Sequence, residues 1–171
     1  MEKKDLKPAG VFKYFEEICQ VPRPSKKEEK MIAYLKAFGA KHNLETKVDE
    51  AGNVLIKKPA TPGKENLQTV VLQSHIDMVC EKNNDVQHDF LTDPIETEID
   101  GEWLKAKGTT LGADNGIGVA TELAILADDS IEHGPLECLF TVDQETGLTG
   151  AFALKEGFMS GDILLNLDSE D

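Results

Sequence analysis

The sequence has little that could support a disulfide-stabilised fold, because its 171 residues include only three cysteines. Cys19, Cys80 and Cys138 are odd in number and show no CxxC spacing. This usage is typical of reduced thiols in the cytosol. It also lacks the clustered sulfur ligands of a structural thiolate zinc site. We therefore expect a cytoplasmic protein without a disulfide framework.

Long apolar runs are also lacking. Residues 1–5 are mostly charged and lead into an amphipathic segment, so we predict no signal peptide. The longest apolar stretch, residues 117–127, is interrupted by Thr121 and Glu122 and is too short to cross a bilayer. The sequence therefore predicts no membrane-spanning helix.

Positive charge is scarce: 18 lysines and arginines face 32 acidic residues, which gives a formal net charge of −14. Such a surface repels phosphate backbones and anionic lipids, so we expect no nucleic-acid and no membrane partner. It attracts multivalent cations, although solvated acidic surfaces are common without them. The composition, 40% hydrophobic and 29% charged, is that of an ordinary globular domain.

Helical periodicity marks four segments. Apolar spacing predicts a helix over residues 8–20. Ser25 and Glu28 form a capping-box pattern, in which the serine hydroxyl accepts a backbone N–H at the helix start. The pattern predicts a second helix that begins at these residues. A third helix should follow the glycine-rich residues 112–118, and a short one should lie near residues 151–156.

Short runs rich in β-branched and aromatic residues predict strands between these helices. Ala51-Gly52 and Asp100-Gly101 each indicate a hairpin. The alternation of strands and helices predicts an α/β fold with a mostly parallel central sheet flanked by helices. The predicted strands are residues 44–49, 53–57, 69–74, 95–99, 103–106, 136–142 and 162–167.

The last predicted strand suggests a truncated chain. Residues 163–167 have the nearly continuous apolar composition of a strand buried on both faces. The sequence ends four residues later, which leaves little to cover such a strand, and an uncovered apolar edge favours aggregation. The alternative is a paired edge strand in a complete domain.

Four acidic or histidine-containing segments follow predicted strands or precede a helix: residues 74–77, 112–116, 142–147 and 166–168. In open α/β sheets, sites form at the carboxyl ends of strands. Each segment alone is a weak signal. A His-x-Asp pair more often contains an ordinary hydrogen-bonded histidine than a metal ligand. Asp-Asn-Gly more often forms a turn, and an acidic loop is more often simply exposed to solvent. Their conjunction predicts one shared crevice.

These residue types suit a divalent metal. One imidazole with several carboxylates is typical of zinc or manganese sites. An aspartate in a glycine-rich turn, as at Asp114, can present its two oxygens to two ions, and such a pair activates water. Asp77 lies two residues after His75, on the same side of an extended chain, and is placed to accept the second ring N–H of that histidine.

Four motifs together resemble the bacterial aminoacyl-histidine (Xaa-His) dipeptidases, a branch of the aminoacylase and carnosinase metallopeptidase superfamily. They are SHIDMVCEKN from Ser74, HDFLTDPI from His88, TLGADNGIG from Thr110 and VDQETGLTGA from Val142. The resemblance covers nearly the whole chain. The run after His75 is specific to this branch and argues against the same-class alternative, an N-acyl amino acid hydrolase.

The resemblance implies a catalytic domain that hydrolyses dipeptides with two zinc ions and a water between them, with Mn²⁺ or Co²⁺ as alternative metals. His75 would bind the first zinc and be oriented by Asp77. Asp114 would bridge both ions, typically before a cis peptide bond. Asp168 would complete the first ion's ligands, and Glu145 would bind the second ion.

Family members also have a distant histidine ligand and an inserted lid domain that mediates dimerisation and grips substrate. We therefore interpret residues 1–171 as the N-terminal part of the catalytic domain, with the lid domain and the C-terminal part absent. The intact parent would be a homodimer that takes a dipeptide substrate.

The main departure from the family is Gln144, where the first of two adjacent glutamates acts as the general base. An amide cannot take up a proton at neutral pH, although it can hydrogen-bond water. Three explanations stay open: a deliberate knockout, a natural inactive homologue, or a base supplied elsewhere. Because Gln144 replaces the general base and the C-terminal half is missing, we expect the chain to be inactive as given. The alternative is a non-catalytic metal- or peptide-binding homologue.

Overall fold

A computed structural model describes residues 2–168. Within them, the α-helices are α1 (Ala9–Cys19), α2 (Glu29–Lys41), α3 (Ala113–Ala127), α4 (Gln144–Gly147) and α5 (Thr149–Ala153). The strands are β1 (Glu45–Val48), β2 (Val54–Lys58), β3 (Val70–His75), β4 (Thr97–Asp100), β5 (Trp103–Ala106), β6 (Leu136–Thr141) and β7 (Ile163–Asn166).

Five strands form the central sheet in the order β1-β2-β6-β3-β7, while β4 and β5 form a separate two-stranded sheet. Strand β3 pairs in parallel with β6 and β7, whereas β2 pairs antiparallel with β1 and β6. The predicted α/β class is therefore confirmed, with a sheet that is mixed. Both predicted hairpins form, and Gly101 takes a positive φ of 63° in the second turn.

The main core lies between the sheet and helices α1, α2 and α3. Alternation along the strands decides which side chains face it, since successive residues of a strand point to opposite faces. Those of the main core include Ile56, Leu72, Cys138 and Phe140. On the other face, Leu55, Val71 and Leu139 pack against apolar side chains of residues 154–159.

The predicted capping box is wrong. Helix α2 begins at Glu29, and its N-cap residue, Glu28, makes no side-chain capping bond. Ser25 Oγ instead donates to Asp77 Oδ2 at 2.7 Å, and Glu28 Oε1 accepts from the backbone N–H of Asp143 at 3.0 Å. Buried carboxylates and buried N–H groups need hydrogen-bond partners, and this requirement outweighs the local pattern.

Helix α3 starts inside the glycine-rich segment and is interrupted at once. Asp114 and Asn115 have non-helical backbone angles, and the peptide bond between them is cis, as the resemblance implies. The short predicted helix near residues 151–156 corresponds to α5. The one-turn helix α4 was not predicted.

Strand β7 lies at the edge of the sheet and pairs with β3. Its apolar side chains are exposed on both faces: Ile163 by 40%, Leu164 by 50% and Leu165 by 48%. The burial on both faces that its composition predicts is thus not found within residues 2–168.

The three cysteines are unpaired, as the sequence predicts. In the part of the chain that the structure describes, no helix combines the length and the apolarity needed to cross a membrane.

Glu122 of α3 is fully buried against the sheet, beside Ser74 and Cys138. Neither of its carboxylate oxygens has a hydrogen-bond partner among the described residues. Burial raises the pKa of Glu122 well above its ordinary value, so the folded state holds a proton there. The unfolded chain releases that proton above about pH 4.3. Stability is therefore lost as the pH rises from that value toward the folded-state pKa.

Glu122→Gln is expected to raise the free energy of unfolding at pH 8 by more than about 1 kcal/mol and to change it little at pH 4. The amide keeps the shape of the protonated acid but cannot ionise. Urea unfolding at the two pH values measures the difference. Glu102→Gln, on an exposed turn, is the control and should change neither value. Equal effects of Glu122→Gln at both pH values would contradict a buried, protonated Glu122.

Candidate metal centre

The predicted crevice forms at the carboxyl edge of the sheet. Strands β3, β6 and β7 run in parallel, so their carboxyl ends meet there. His75 is the last residue of β3, and Asp168 follows β7 by two residues. Residues 143–145 follow β6, and Asp114 reaches the same place from the kinked start of α3.

Three of the predicted ligands lie together. His75 Nε2 is 3.0 Å from Asp114 Oδ1 and 3.8 Å from Asp168 Oδ2, and one ligand atom from each residue lies within 4.8 Å of the others. Donors on one tetrahedral zinc ion, each about 2.0–2.2 Å from it, lie about 3.3–3.6 Å apart, between the two distances measured from Nε2. An imidazole nitrogen with two carboxylate oxygens at this spacing fits a divalent ion of the zinc type.

Asp77 holds the ring of His75 from behind. Asp77 Oδ1 lies 3.2 Å from His75 Nδ1, and the carboxylate is completely buried. It also accepts the Ser25 hydroxyl and the backbone N–H groups of Gln144 and Glu145, at 2.7, 3.0 and 3.1 Å. When Nδ1 carries a proton donated to Asp77, Nε2 is the ring nitrogen that can bind a metal ion lying between it and the carboxylates of Asp114 and Asp168.

These contacts set the charge states of the pair. Burial alone would raise the pKa of Asp77, but hydrogen bonds from His75, Ser25 and two backbone N–H groups lower it to about 2. Burial would likewise lower the pKa of His75, and the three surrounding aspartates outweigh it, so that this pKa is raised. Asp77 is therefore ionised and fixes the imidazole at all ordinary pH values.

Glu145 lies beside the three-donor group but not within it. Burial, and then the negative charges of Asp114, Asp77 and Asp168, raise its pKa, against an opposing effect of His75. A divalent cation would relieve this repulsion. Gln144 is adjacent, and its side-chain Nε2 donates to Asp168 Oδ2 at 3.4 Å. The structure thus brings all six predicted site residues to one edge of the sheet.

Residues 23–28 also contact this region, although their local pattern does not place them there. Ser25 and Glu28 have the spacing of a helix cap, and Arg23 belongs to none of the four motifs. The available signal was Arg23 itself, the single arginine of the sequence, placed between Pro22 and Pro24.

The mixed sheet flanked by helices matches the catalytic-domain fold of a class of peptidases. No protein-family model matches the chain. Over 99% of its length, however, the chain is 51% identical to the cytosol non-specific dipeptidase of Escherichia coli (strain K12). It is 55% identical over 99% of its length to the aminoacylhistidine dipeptidase of Vibrio alginolyticus, whose crystal structure matches it with a TM-score of 0.96.

A more distant match is the aminopeptidase PepT of Bacillus cereus, 26% identical over 95% of the chain and 43% of that protein, with a TM-score of 0.80. The chain spans 35% of the length of each of the two dipeptidases. The predicted resemblance to the bacterial aminoacyl-histidine dipeptidases and the predicted fold class are therefore confirmed.

Proposed function

We propose that this chain is the metal-binding part of a dipeptidase that hydrolyses Xaa-His dipeptides at a two-zinc site. The observation that carries the proposal is the convergence of His75, Asp114 and Asp168, with ligand atoms within 4.8 Å of one another. It occurs in a chain 51–55% identical to two proteins that are named dipeptidases. Mn²⁺ and Co²⁺ accept similar ligands and are the alternative metals.

In this proposal His75, Asp114 and Asp168 would hold the first ion. Asp114 and Glu145 would hold the second. The Asp114 side chain is 67% exposed and can serve both ions from the crevice. Bound there, divalent zinc would polarise the scissile carbonyl and lower the pKa of water. Asp77 keeps the His75 ring in its ligating orientation.

Gln144 determines the activity that we propose for this chain. It lies beside the ligands, where the family resemblance implies the general base. Its amide can hydrogen-bond a water but cannot take its proton at neutral pH. We therefore propose that the chain is inactive as given.

The two dipeptidases are almost three times as long as the chain, which covers 35% of each. We propose that residues 1–171 correspond to the N-terminal part of the catalytic domain. A further histidine ligand and a lid domain that forms a homodimer would belong to the rest of a longer protein.

A non-catalytic metal- or peptide-binding role is the second candidate. Gln144 favours it, because the substitution keeps the shape of the site while removing the group that moves the proton. The two candidates share the metal ligands and differ in whether restoring glutamate at position 144 restores hydrolysis.

The metal site can be tested on the chain itself by calorimetric titration with Zn²⁺. His75→Ala removes a proposed ligand itself. It is expected to weaken zinc binding by more than the 10–100-fold that is typical of losing a residue that hydrogen-bonds to a ligand. The matched control is His133→Ala, since His133 precedes β6 at the opposite edge of the sheet and bonds to the Gly134 carbonyl. Equal zinc affinity of His75→Ala and the unaltered chain would remove His75 from the site.

A further inference from the structure

We propose that Arg23, together with Ser25, is a positioning residue of the metal centre. The inference rests on the proposed function and adds residues that do not touch the metal. The Arg23 side chain is buried, with 2% of the residue exposed. Its Nη1 donates to the carbonyls of Ile76 and Asp77 at 3.1 and 3.2 Å, and its Nη2 donates to the carbonyl of Gly112 at 2.6 Å.

These three bonds join two segments that carry metal ligands. Ile76 and Asp77 directly follow His75, while Gly112 lies two residues before Asp114. His75 ends a sheet strand, but Asp114 lies in a kinked stretch that neither a strand nor a regular helix fixes. The guanidinium therefore sets the distance between the His75 and Asp114 segments. This distance matters because a metal site needs its ligands held within about 0.5 Å of their binding positions.

The surrounding residues are fitted to the guanidinium. Gly112 has a φ of +69°, and a Cβ atom added to it would lie 2.5 Å from Arg23 Nη2. A Cβ atom added to Gly116 would lie 2.7 Å from the same nitrogen. Among residues 2–168, no carboxylate forms an ion pair with Arg23. A buried charge without a partner is energetically costly. The three backbone carbonyls that accept hydrogen bonds from Arg23 therefore stabilise its charge.

The same short segment reaches the other parts of the centre. Ser25 Oγ donates to Asp77 Oδ2 at 2.7 Å, on the carboxylate that orients His75. Glu28 Oε1 accepts the N–H of Asp143 at 3.0 Å, one residue before Gln144. Residues 23–28, which we call the clamp segment, thus contact the loops after β3 and β6 and the loop before α3.

Arginine is required at this position by geometry as well as charge. Its planar fork presents several N–H donors in fixed directions, whereas the lysine ammonium is a compact charge on a flexible stem. Arg23→Lys therefore keeps the positive charge but replaces two donor nitrogens, Nη1 and Nη2, with a single one, so it does not hold the two segments at the same fixed spacing.

The test is titration of the chain with Co²⁺ and Zn²⁺, with the visible Co²⁺ spectrum as a reporter of ligand geometry. Arg23→Lys is expected to weaken metal binding by roughly 10–100-fold and to change the Co²⁺ spectrum. Ser25→Ala, which removes one hydrogen bond to Asp77, should weaken it by about 10-fold. Arg23→Lys with unchanged affinity and spectrum would overturn the proposal. If Arg23→Lys does not fold, the metal affinity and the Co²⁺ spectrum of Ser25→Ala are used instead, and no change in either would overturn the proposal.

The matched control is Lys58→Met. Lys58 is also a buried cation that donates to two backbone carbonyls, of Ile125 at 3.2 Å and Asp128 at 2.9 Å, at the far end of α3. This variant should lose thermal stability and keep the metal affinity of the unaltered chain. Equal weakening of metal binding by Lys58→Met and Arg23→Lys would show a general loss of stability and overturn the positioning role.

Amide hydrogen exchange separates failure of this inference from failure of the proposed function. An unaltered chain that binds neither metal would overturn the proposed metal site. In that case the positioning role of Arg23 is supported if Arg23→Lys speeds amide exchange selectively at residues 76–78 and 112–116. Unchanged exchange in these two segments would overturn it.

Discussion

Restoring glutamate at position 144 is expected to raise the rate of Xaa-His hydrolysis by about 10²–10⁴-fold, the usual contribution of a general base. The suitable protein is a chimera in which this chain replaces the matching 35% of the Escherichia coli cytosol non-specific dipeptidase. One version carries Gln144 and the other Gln144→Glu. The carboxylate can take up the proton of the attacking water and later give it to the leaving amine, whereas the amide can do neither.

Zinc content, measured on the same preparations, should be equal in the two chimeras because the proposed ligands are unchanged. Gln68→Glu is the matched control, since it adds the same charge at an exposed position just before β3, away from the crevice. Comparable hydrolysis by the Gln144 and Gln144→Glu chimeras would exclude residue 144 as the base. A rate difference accompanied by a change in zinc content would make residue 144 a ligand instead.

Asp114→Asn is expected to abolish zinc binding at both proposed positions. The aspartate is assigned to both ions, and the substitution removes the negative charge that would lie between them. In the chimera with Gln144, metal analysis should give two zinc ions per chain before the substitution and fewer than one after it. Glu145→Gln should retain one ion, because His75, Asp168 and Asp114 remain.

Asp85→Asn removes an equal charge from an exposed loop and should leave two ions bound. If Asp114→Asn retained one tightly bound zinc, Asp114 would belong to a single ion and the shared ligand would be wrong. If Glu145→Gln retained both ions, the second ion would have other ligands.

The position of the candidate site could be predicted because it depends on chain direction alone. His75 ends a strand, Gln144 and Asp168 each follow one, and parallel strands bring their carboxyl ends to one edge. The glycine-rich start of α3 follows no strand of this sheet, so this rule does not place it. Locating the site at this edge does not require the order of the strands in the sheet.

The support behind the site could not be predicted from local patterns. Ser25 and Glu28 have the spacing of a helix cap, but their partners, Asp77 and Asp143, are 52 and 115 residues away in sequence. Arg23 likewise binds carbonyls that lie 53 to 89 residues away. Only the folded sheet brings these groups together, and buried hydrogen-bond demands then select the pairing.

The mixed character of the sheet was also beyond the sequence pattern. The β1–β2 hairpin could be identified from its turn, but the pairing of β2 with β6 joins residues that are far apart in sequence. Alternation of strands and helices describes the β3–β6–β7 part of the sheet well and does not indicate which strand the hairpin joins.

A crystal structure of the chain soaked in Zn²⁺, with anomalous data collected at the zinc absorption edge, tests the metal centre most directly. The expected result is an anomalous peak about 2.0–2.2 Å from His75 Nε2 and from carboxylate oxygens of Asp114 and Asp168. Peaks only at other surface carboxylates, or an empty crevice in crystals that hold zinc elsewhere, would contradict it.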